Sequence, residues 1–324
     1  VTDALTISGL RIRTRTHAIV DGIDLALERG GIHGLAGESG SGKTMTALAV
    51  LGLLPGSMTA SGSIRLADDA GAGTGSTGAG STASGIELVG ASRQVLGAVR
   101  GRRVAMVFQD PSTSLHPQLT VGRQLTDHLR HHLGLSKAAA RSKAEALLER
   151  VRVPDARAAL SRYPHQFSGG QRQRIAIAVA LACDPTVLLA DEPTTALDVT
   201  VQAGVLQLLR ELVDDGGLSI LLVTHDLGVM SAVADEVTVM RQGLVVESAP
   251  REKLFTAPQD AYTRSLLAAL PGSSFEESPE VLVEELVEGH EAGSAGGAAG
   301  SVGGLAVEGG SAVDGADDVE GGAR

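Results

Sequence analysis

Residues 37–44 read GESGSGKT, the pattern G-x-x-x-x-G-K-[ST]. Glycines at these spacings let successive backbone N–H groups turn to one side and cradle phosphate oxygens. A helix opening near Lys43 adds the positive end of its dipole. Lys43 then reaches the outer phosphates of a bound chain, and the Thr44 hydroxyl is a ligand for Mg²⁺. A Gly/Ser-rich turn can match this pattern by chance. Here the apolar run 32–36 precedes it and a helical pattern over 43–53 follows, which are the two flanks a phosphate loop needs. Gly37, Ser39, Gly40, Ser41, Gly42, Lys43 and Thr44 are the candidate phosphate-binding residues.

Three further stretches carry chemistry. Residues 187–192 read VLLADE, an apolar strand ending in Asp191 and Glu192. An acid at the end of a buried strand beside a phosphate loop holds Mg²⁺, usually through water, and Asp191 fits that place. Glu192 points differently, as the next residue in sequence, and can polarise a water for attack on a phosphate. The same two acids could equally cap the next helix. Residues 167–171 read FSGGQ, with Ser168, Gly169, Gly170 and Gln171 ahead of an Ala-rich helix. That makes a second anion-binding helix start, or a glycine-rich cap without a ligand. Gln109 follows a strand, Asp198 follows the acidic pair, and His225 ends another strand. Each is uninformative alone, and only their order gives them weight.

The elements that must position these residues alternate. Strands are expected at 32–36, 104–108, 187–190 and 219–223, and helices at 43–53, 120–132, 138–151, 172–182 and 201–213. Residues 1–66 alternate short β-like runs with turns, and two β runs, 236–240 and 244–247, flank Gly243. Strand–helix–strand order implies an α/β fold with a mostly parallel sheet. The helical block between Gln109 and Ser168 is expected as an inserted subdomain. Residues 67–85 contain only Ala, Asp, Gly, Ser and Thr, a composition that predicts a flexible insertion. Residues 272–324 predict a disordered acidic tail, with a possible helical docking segment at 281–288.

Of 324 residues, 43% are hydrophobic and only 2% aromatic, so the core must be aliphatic. The net charge of −11 belongs to the tail: residues 272–324 hold twelve acids and one base, Arg324, leaving 26 of each sign before them. A formally neutral body argues against a nucleic-acid surface. The single cysteine, Cys183, excludes an internal disulfide and a multi-cysteine metal site. Its apolar run, 175–183, falls well short of the roughly 20 residues a membrane helix needs. No charged segment followed by an apolar one opens the sequence, so no secretory signal is expected.

Taken in order, these motifs resemble those of the ATP-binding subunits of ABC transporters. GESGSGKT resembles the Walker A motif, Gln109 the Q-loop, FSGGQ the signature, VLLADE the Walker B motif, residues 196–198 the D-loop and His225 the H-loop. The resemblance covers about residues 5–270. VFQDPSTSLHPQLTVG (107–122), YPHQFSGGQRQR (163–174), DEPTTALDVTVQA (191–203) and YTRSLLAALP (262–271) resemble the oligopeptide/dipeptide importer subfamily. The resemblance implies a P-loop NTPase core with an antiparallel β subdomain and an inserted helical subdomain at about 110–168. It places the ATPase domain at 1–250 and an importer-type extension at 251–271.

It also implies ATP and Mg²⁺, and a second ATPase subunit packed head to tail, a copy or a paralogue. Lys43 and the backbone of residues 40–44 would bind phosphate, and Thr44, Gln109 and Asp191 would serve Mg²⁺. Glu192 would be the catalytic base and His225 the γ-phosphate sensor. Ser168, Gly169, Gly170 and Gln171 would bind ATP across the dimer, with Asp198 coupling the sites. The partners implied are membrane permease subunits and, indirectly, an extracytoplasmic solute-binding protein, with the chain peripheral on the cytoplasmic face. Peptides, nickel and glutathione are all carried by similar systems. The rival reading is a soluble ABC ATPase acting on nucleic acid or the ribosome, whose relatives often carry two cassettes or a long coiled coil. A small-molecule kinase would not explain FSGGQ or His225.

Three features depart from the family pattern. No Phe, Tyr or Trp precedes Phe108, so the ring that usually stacks on adenine, from about residues 11–17, is missing. Weaker, less base-selective nucleotide binding is expected, unless Arg15 or His17 supplies the stacking plane. Residues 67–85 replace a short turn, a change expected to leave catalysis alone. The usual His-Pro-Tyr of the extension reads Asp260-Ala261-Tyr262.

Overall fold

The computed structural model describes residues 3–68, 85–195 and 197–270. Most of the expected insertion, the acidic tail and the segment 281–288 lie outside the described residues. The chain opens with β1 (Asp3–Arg13), β2 (Ala18–Glu28) and β3 (Ile32–Ala36), then α1 (Lys43–Val50), β4 (Thr59–Ala67), β5 (Gly85–Glu87) and α2 (Arg93–Val99). After β6 (Val104–Val107) come α3 (Pro111–Ser114), α4 (Val121–Leu133), α5 (Lys137–Arg150), α6 (Ala156–Ala159), a 3-10 turn (Pro164–Gln166) and α7 (Gly169–Ala180). Alternation resumes with β7 (Val187–Asp191), α8 (Val199–Asp214), β8 (Ser219–Val223), α9 (Leu227–Val233) and β9 (Glu236–Arg241). The last elements are β10 (Leu244–Pro250), α10 (Arg251–Thr256) and α11 (Ala261–Ala268).

Two sheets form. The first is antiparallel, in the order β2-β1-β4-β5. Its first two strands are long, eleven residues each, where short runs are expected from the sequence. The reason is a phase slip. Leu5 and Ile7 are buried on one face, and Leu10 and Ile12 resume on the same face one residue out of step. The slip occurs at Gly9, whose φ of 58° few other residues adopt, and the register with β2 shifts between Ile7 and Leu10. Strands β4 and β5 are hydrogen-bonded neighbours, so the long insertion replaces a connection within this sheet.

The second sheet has the order β10-β9-β3-β8-β7-β6 and is parallel except for the β9–β10 hairpin. Strands β3, β7 and β8 are buried at every residue, as a sheet covered on both faces demands. Helix starts and stops explain the shifts from the expected bounds. Helix α1 ends at Val50, before 53, because Leu51 caps it and Gly52 turns at φ 60°. Helix α7 begins three residues early, since Ser168 and Gln171 cap it reciprocally. Helices α4, α5 and α8 are capped by Thr120, Ser136 and Asp198. Helix α2 gives no sequence signal, because only Leu96 and Val99 are buried.

Candidate functional site

The parallel strands β3, β6, β7 and β8 all deliver their C-terminal ends to one edge, and each is followed by a residue group singled out above. After β3, residues 37–42 wrap into a loop. Gly37 has φ 143°, and a Cβ there would fall 2.1 Å from the Met240 carbonyl oxygen. Gly42, at φ 103°, would press on Val20 at 2.8 Å. Gly40 is different: its φ is 82°, and a Cβ would meet nothing within 4 Å. Two glycines thus let the loop pack closely, and the third faces open space where a phosphate chain would fit.

Lys43 is buried, and its ammonium donates to the carbonyls of Gly37 at 2.7 Å and Glu38 at 2.8 Å. Burial lowers its pKa, while Glu192, Asp191 and Glu38 act against that. The Thr44 hydroxyl donates to Asp191 Oδ1 at 3.1 Å, across 147 residues of sequence. Burial pushes the Asp191 carboxyl up, with the Thr44 bond opposing. A hydroxyl beside a carboxylate, both hard oxygen donors at the foot of a phosphate loop, is a donor set suited to Mg²⁺. Among the described residues no three His, Cys, Asp or Glu converge as a metal cluster.

Glu192 takes a left-handed backbone, φ 46°, with its N–H donating to the Val223 carbonyl at 2.7 Å. That kink turns its side chain away from Asp191. Its carboxylate accepts from Gln109 Nε2 at 2.8 Å, Thr195 Oγ1 at 2.9 Å and His225 Nδ1 at 2.8 Å. Burial would raise its pKa, but the bonds from His225 and Thr195 and the charge of Lys43 hold it below the usual carboxylate value. The structure therefore pairs Gln109 with Glu192, not with Thr44 and Asp191. Thr195 is absent from the sequence reading. It enters because a tight turn, Thr195 N–H to Glu192 carbonyl at 3.2 Å, folds it back.

The FSGGQ residues are held elsewhere. Ser168 Oγ accepts from Gln171 N–H at 3.3 Å, and Gln171 Oε1 accepts from Ser168 N–H at 3.1 Å. A Cβ on Gly170 would fall 2.2 Å from Val201 Cγ1, so α7 and α8 pack closely there, while Gly169 is open apart from Leu197 at 3.6 Å. Asp198 accepts from Val201 N–H at 3.0 Å. No hydrogen bond or ion pair among the described residues joins 168–171 or Asp198 to the phosphate loop.

Two segments border that loop. The turn 14–17 joins β1 to β2, with Thr14 Oγ1 3.1 Å from His17 Nδ1, and β2 carries Ile19, whose carbonyl backs Gly42. From the other side, Tyr262 of α11 accepts the Glu38 N–H at 3.4 Å, under the Arg241 guanidinium at 4.7 Å. The extension's tyrosine is visible in the sequence, but its contact with the loop is not.

Fold and site together define a P-loop domain with Walker-type residues on the C-terminal edge of a parallel sheet. The ABC transporter family matches residues 20–195, and the chain belongs to that family. It is 44% identical over 275 residues to the glutathione import ATP-binding protein GsiA of Salmonella typhimurium, covering 83% of this chain and 42% of that protein. GsiA of Shigella sonnei is 46% identical over 256 residues, 78% of this chain and 39% of that one. The chain thus spans about two fifths of the length of these relatives. Among solved structures, the dimeric bacterial ABC transporter cassette MJ0796 has a TM-score of 0.63 at 24% identity, covering 76% of this chain and 98% of its own. The cbiO1 protein of Clostridium perfringens, part of the cbiONQ transporter complex, has a TM-score of 0.64 at 24% identity, covering 83% and 96%. Both are likenesses of fold.

Proposed function

We propose that the chain is the ATP-binding and ATP-hydrolysing subunit of an ABC importer, energising uptake of a peptide-like solute through a membrane permease. The observation that carries this is the convergence of Lys43, the Thr44–Asp191 pair and the Gln109–Glu192–His225 cluster on one sheet edge. Lys43 exchanges two backbone carbonyls for phosphate oxygens. Thr44 and Asp191, with Gln109, would hold Mg²⁺, which when bound would offset the charge of the phosphates. Glu192 is the general base. Three of the roughly four acceptor sites of its carboxylate are taken by Gln109, Thr195 and His225, which leaves one for the water whose proton it removes. With ATP and Mg²⁺ bound, Gln109 would serve the metal and His225 would sense the γ-phosphate.

Ser168, Gly169, Gly170 and Gln171 lie apart from their own phosphate loop, which supports a head-to-tail second subunit whose ATP they complete, with Asp198 linking the two sites. The fold neighbour MJ0796 was solved as a dimer. An apolar groove of about 260 Å³, lined by Leu53, Val107, Phe108, Leu115 and Val179, lies beside Gln109, with Phe108 41% exposed. We assign it to the permease, and with it the chain to the cytoplasmic face of the membrane. No helix among the described residues is long and apolar enough to cross a membrane. Glutathione, named for the relatives, is one candidate solute, and delivery by an extracytoplasmic binding protein belongs to the same proposal.

The test is Glu192→Gln, which keeps shape and hydrogen bonding. ATP binding should persist while turnover falls about 10²-fold or more. A near-normal rate, assayed with the permease, would remove Glu192 from the role.

A further inference from the structure

The motif Asp260-Ala261-Tyr262 opens α11, and its place in the fold is specific. Glu247 on β10 accepts the N–H groups of Gln259 at 2.7 Å and Asp260 at 3.1 Å, which fixes the entry to the helix. The Asp260 carboxylate then caps α11, accepting from Tyr262 N–H at 2.8 Å and Thr263 N–H at 3.4 Å. That cap aims the buried Tyr262 side chain at the phosphate loop. The Glu38 N–H that Tyr262 Oη accepts belongs to the peptide between Gly37 and Glu38, and the carbonyl of that same peptide accepts from Lys43 at 2.7 Å. The peptide is trans, so its N–H and C=O point in opposite directions. Tyr262 therefore braces from behind the peptide that Lys43 grips, and the two bonds polarise each other.

We propose that Tyr262 is a positioning residue for nucleotide binding, which holds the Gly37–Glu38 peptide in its orientation when Lys43 turns to a phosphate. This rests on the reading of residues 37–44 as the phosphate loop of an ATPase. Lys43 donates to the carbonyls of Gly37 and Glu38, so its transfer to phosphate oxygens removes one of the two partners of that peptide. Tyr262 is the partner that stays. Gly37 has φ 143° and, lacking a Cβ, sets little barrier to turning the peptide over. A loop with that peptide turned presents different groups to a phosphate, and apparent affinity falls in proportion to the fraction of molecules left in the competent form. The brace is itself held. The Arg241 guanidinium lies over the Tyr262 ring at 4.7 Å. The β9–β10 hairpin that carries Arg241 and Glu247 reaches the loop again, where Gly243 N–H donates to the Ser41 carbonyl at 3.1 Å. Hairpin, α11 and phosphate loop thus form one hydrogen-bonded unit.

The experiment compares the full chain with Tyr262→Phe, which removes only the hydroxyl. Tyr163→Phe, at the other and exposed tyrosine, is the control. Affinity for ADP with Mg²⁺ is measured by calorimetry, and backbone hydrogen–deuterium exchange of the nucleotide-free chain by mass spectrometry. A neutral hydrogen bond is worth a factor of about three to ten. Tyr262→Phe should weaken ADP binding by that factor and speed exchange across residues 37–44 by a similar one, with β7, β8 and the melting temperature unchanged. Tyr163→Phe should change none of these. Unchanged ADP affinity in Tyr262→Phe, or faster exchange spread through β7 and β8, would overturn the assignment and leave the ATPase reading intact. Failure of the unmodified chain to bind ADP would overturn both.

Discussion

Glu192 is held by three side chains that stand 83, 3 and 33 residues away in sequence, and its carboxylate is anionic at neutral pH. The residue most conspicuous by its absence is the aromatic ring beside the adenine. Stacking of a base on an aromatic ring is worth about 1–3 kcal/mol, and about 1.4 kcal/mol is one decade in affinity. ATP should therefore bind one to two decades more weakly than with a ring, and GTP should compete unusually well. Arg15→Tyr or His17→Tyr, in the turn between β1 and β2, should tighten ATP binding at one of the two positions if the backbone there runs beside the adenine. Equilibrium binding of both nucleotides to Glu192→Gln measures this. Tight, ATP-selective binding in the unmodified chain would mean that a stacking surface already exists. A second residue sets a pH limit. His33 is buried in β3 against Thr238 at 2.8 Å, and burial lowers its pKa to about 4. The unfolded chain then takes up the proton first, at about 6.5. Stability is fully present above that value and is lost as pH falls toward 4, by on the order of 3 kcal/mol. Melting curves at pH 7.5 and 4.5 should show a smaller pH-dependent loss for His33→Gln, and equal losses would refute the assignment.

At the scale of elements, α10 and α11 are part of the body. Leu254, Tyr262 and Leu267 are buried in the same cluster as the central sheet. Fully burying each such side chain is worth about 1.5–3 kcal/mol. Truncation after Pro250 should lower the melting temperature by about 10 °C or more, and should weaken ATP binding, because Tyr262 no longer holds the Glu38 amide. Truncation after Gly272 should leave both nearly unchanged, since the deleted composition supports no core. It should move the net charge from −11 to about zero and reduce solubility. A large fall in melting temperature for the second truncation would mean that residues 281–288 dock on the body.

For the whole molecule, the separation of Ser168–Gln171 from the phosphate loop is the consequential fact. On the proposed reading, a second cassette completes a site divided this way. With ATP and Mg²⁺, Glu192→Gln should run as a dimer in size-exclusion chromatography with light scattering, and as a monomer with ADP. Ser168→Arg, which crowds the signature face, should abolish the dimer without unfolding α7. Persistent monomer with ATP would point to a paralogue as the partner subunit, and a dimer indifferent to nucleotide would contradict the shared-site reading.

The amino-acid sequence by itself determined whatever is encoded within a few residues. The glycine spacing of 37–44 and the apolar runs of β3, β7 and β8 act over distances of one loop or one strand. Their order then implied the parallel sheet and the inserted helices. Tertiary structure decided which residues meet. Gln109, Glu192 and His225 become neighbours only because β6, β7 and β8 lie side by side in the sheet. Tyr262 reaches Glu38 across 224 residues, and Gly170 is required by Val201 on another helix. The phase slip at Gly9 likewise needs its partner strand. Such contacts depend on sheet order and close packing, which are properties of the assembled core and leave no periodic trace in the chain.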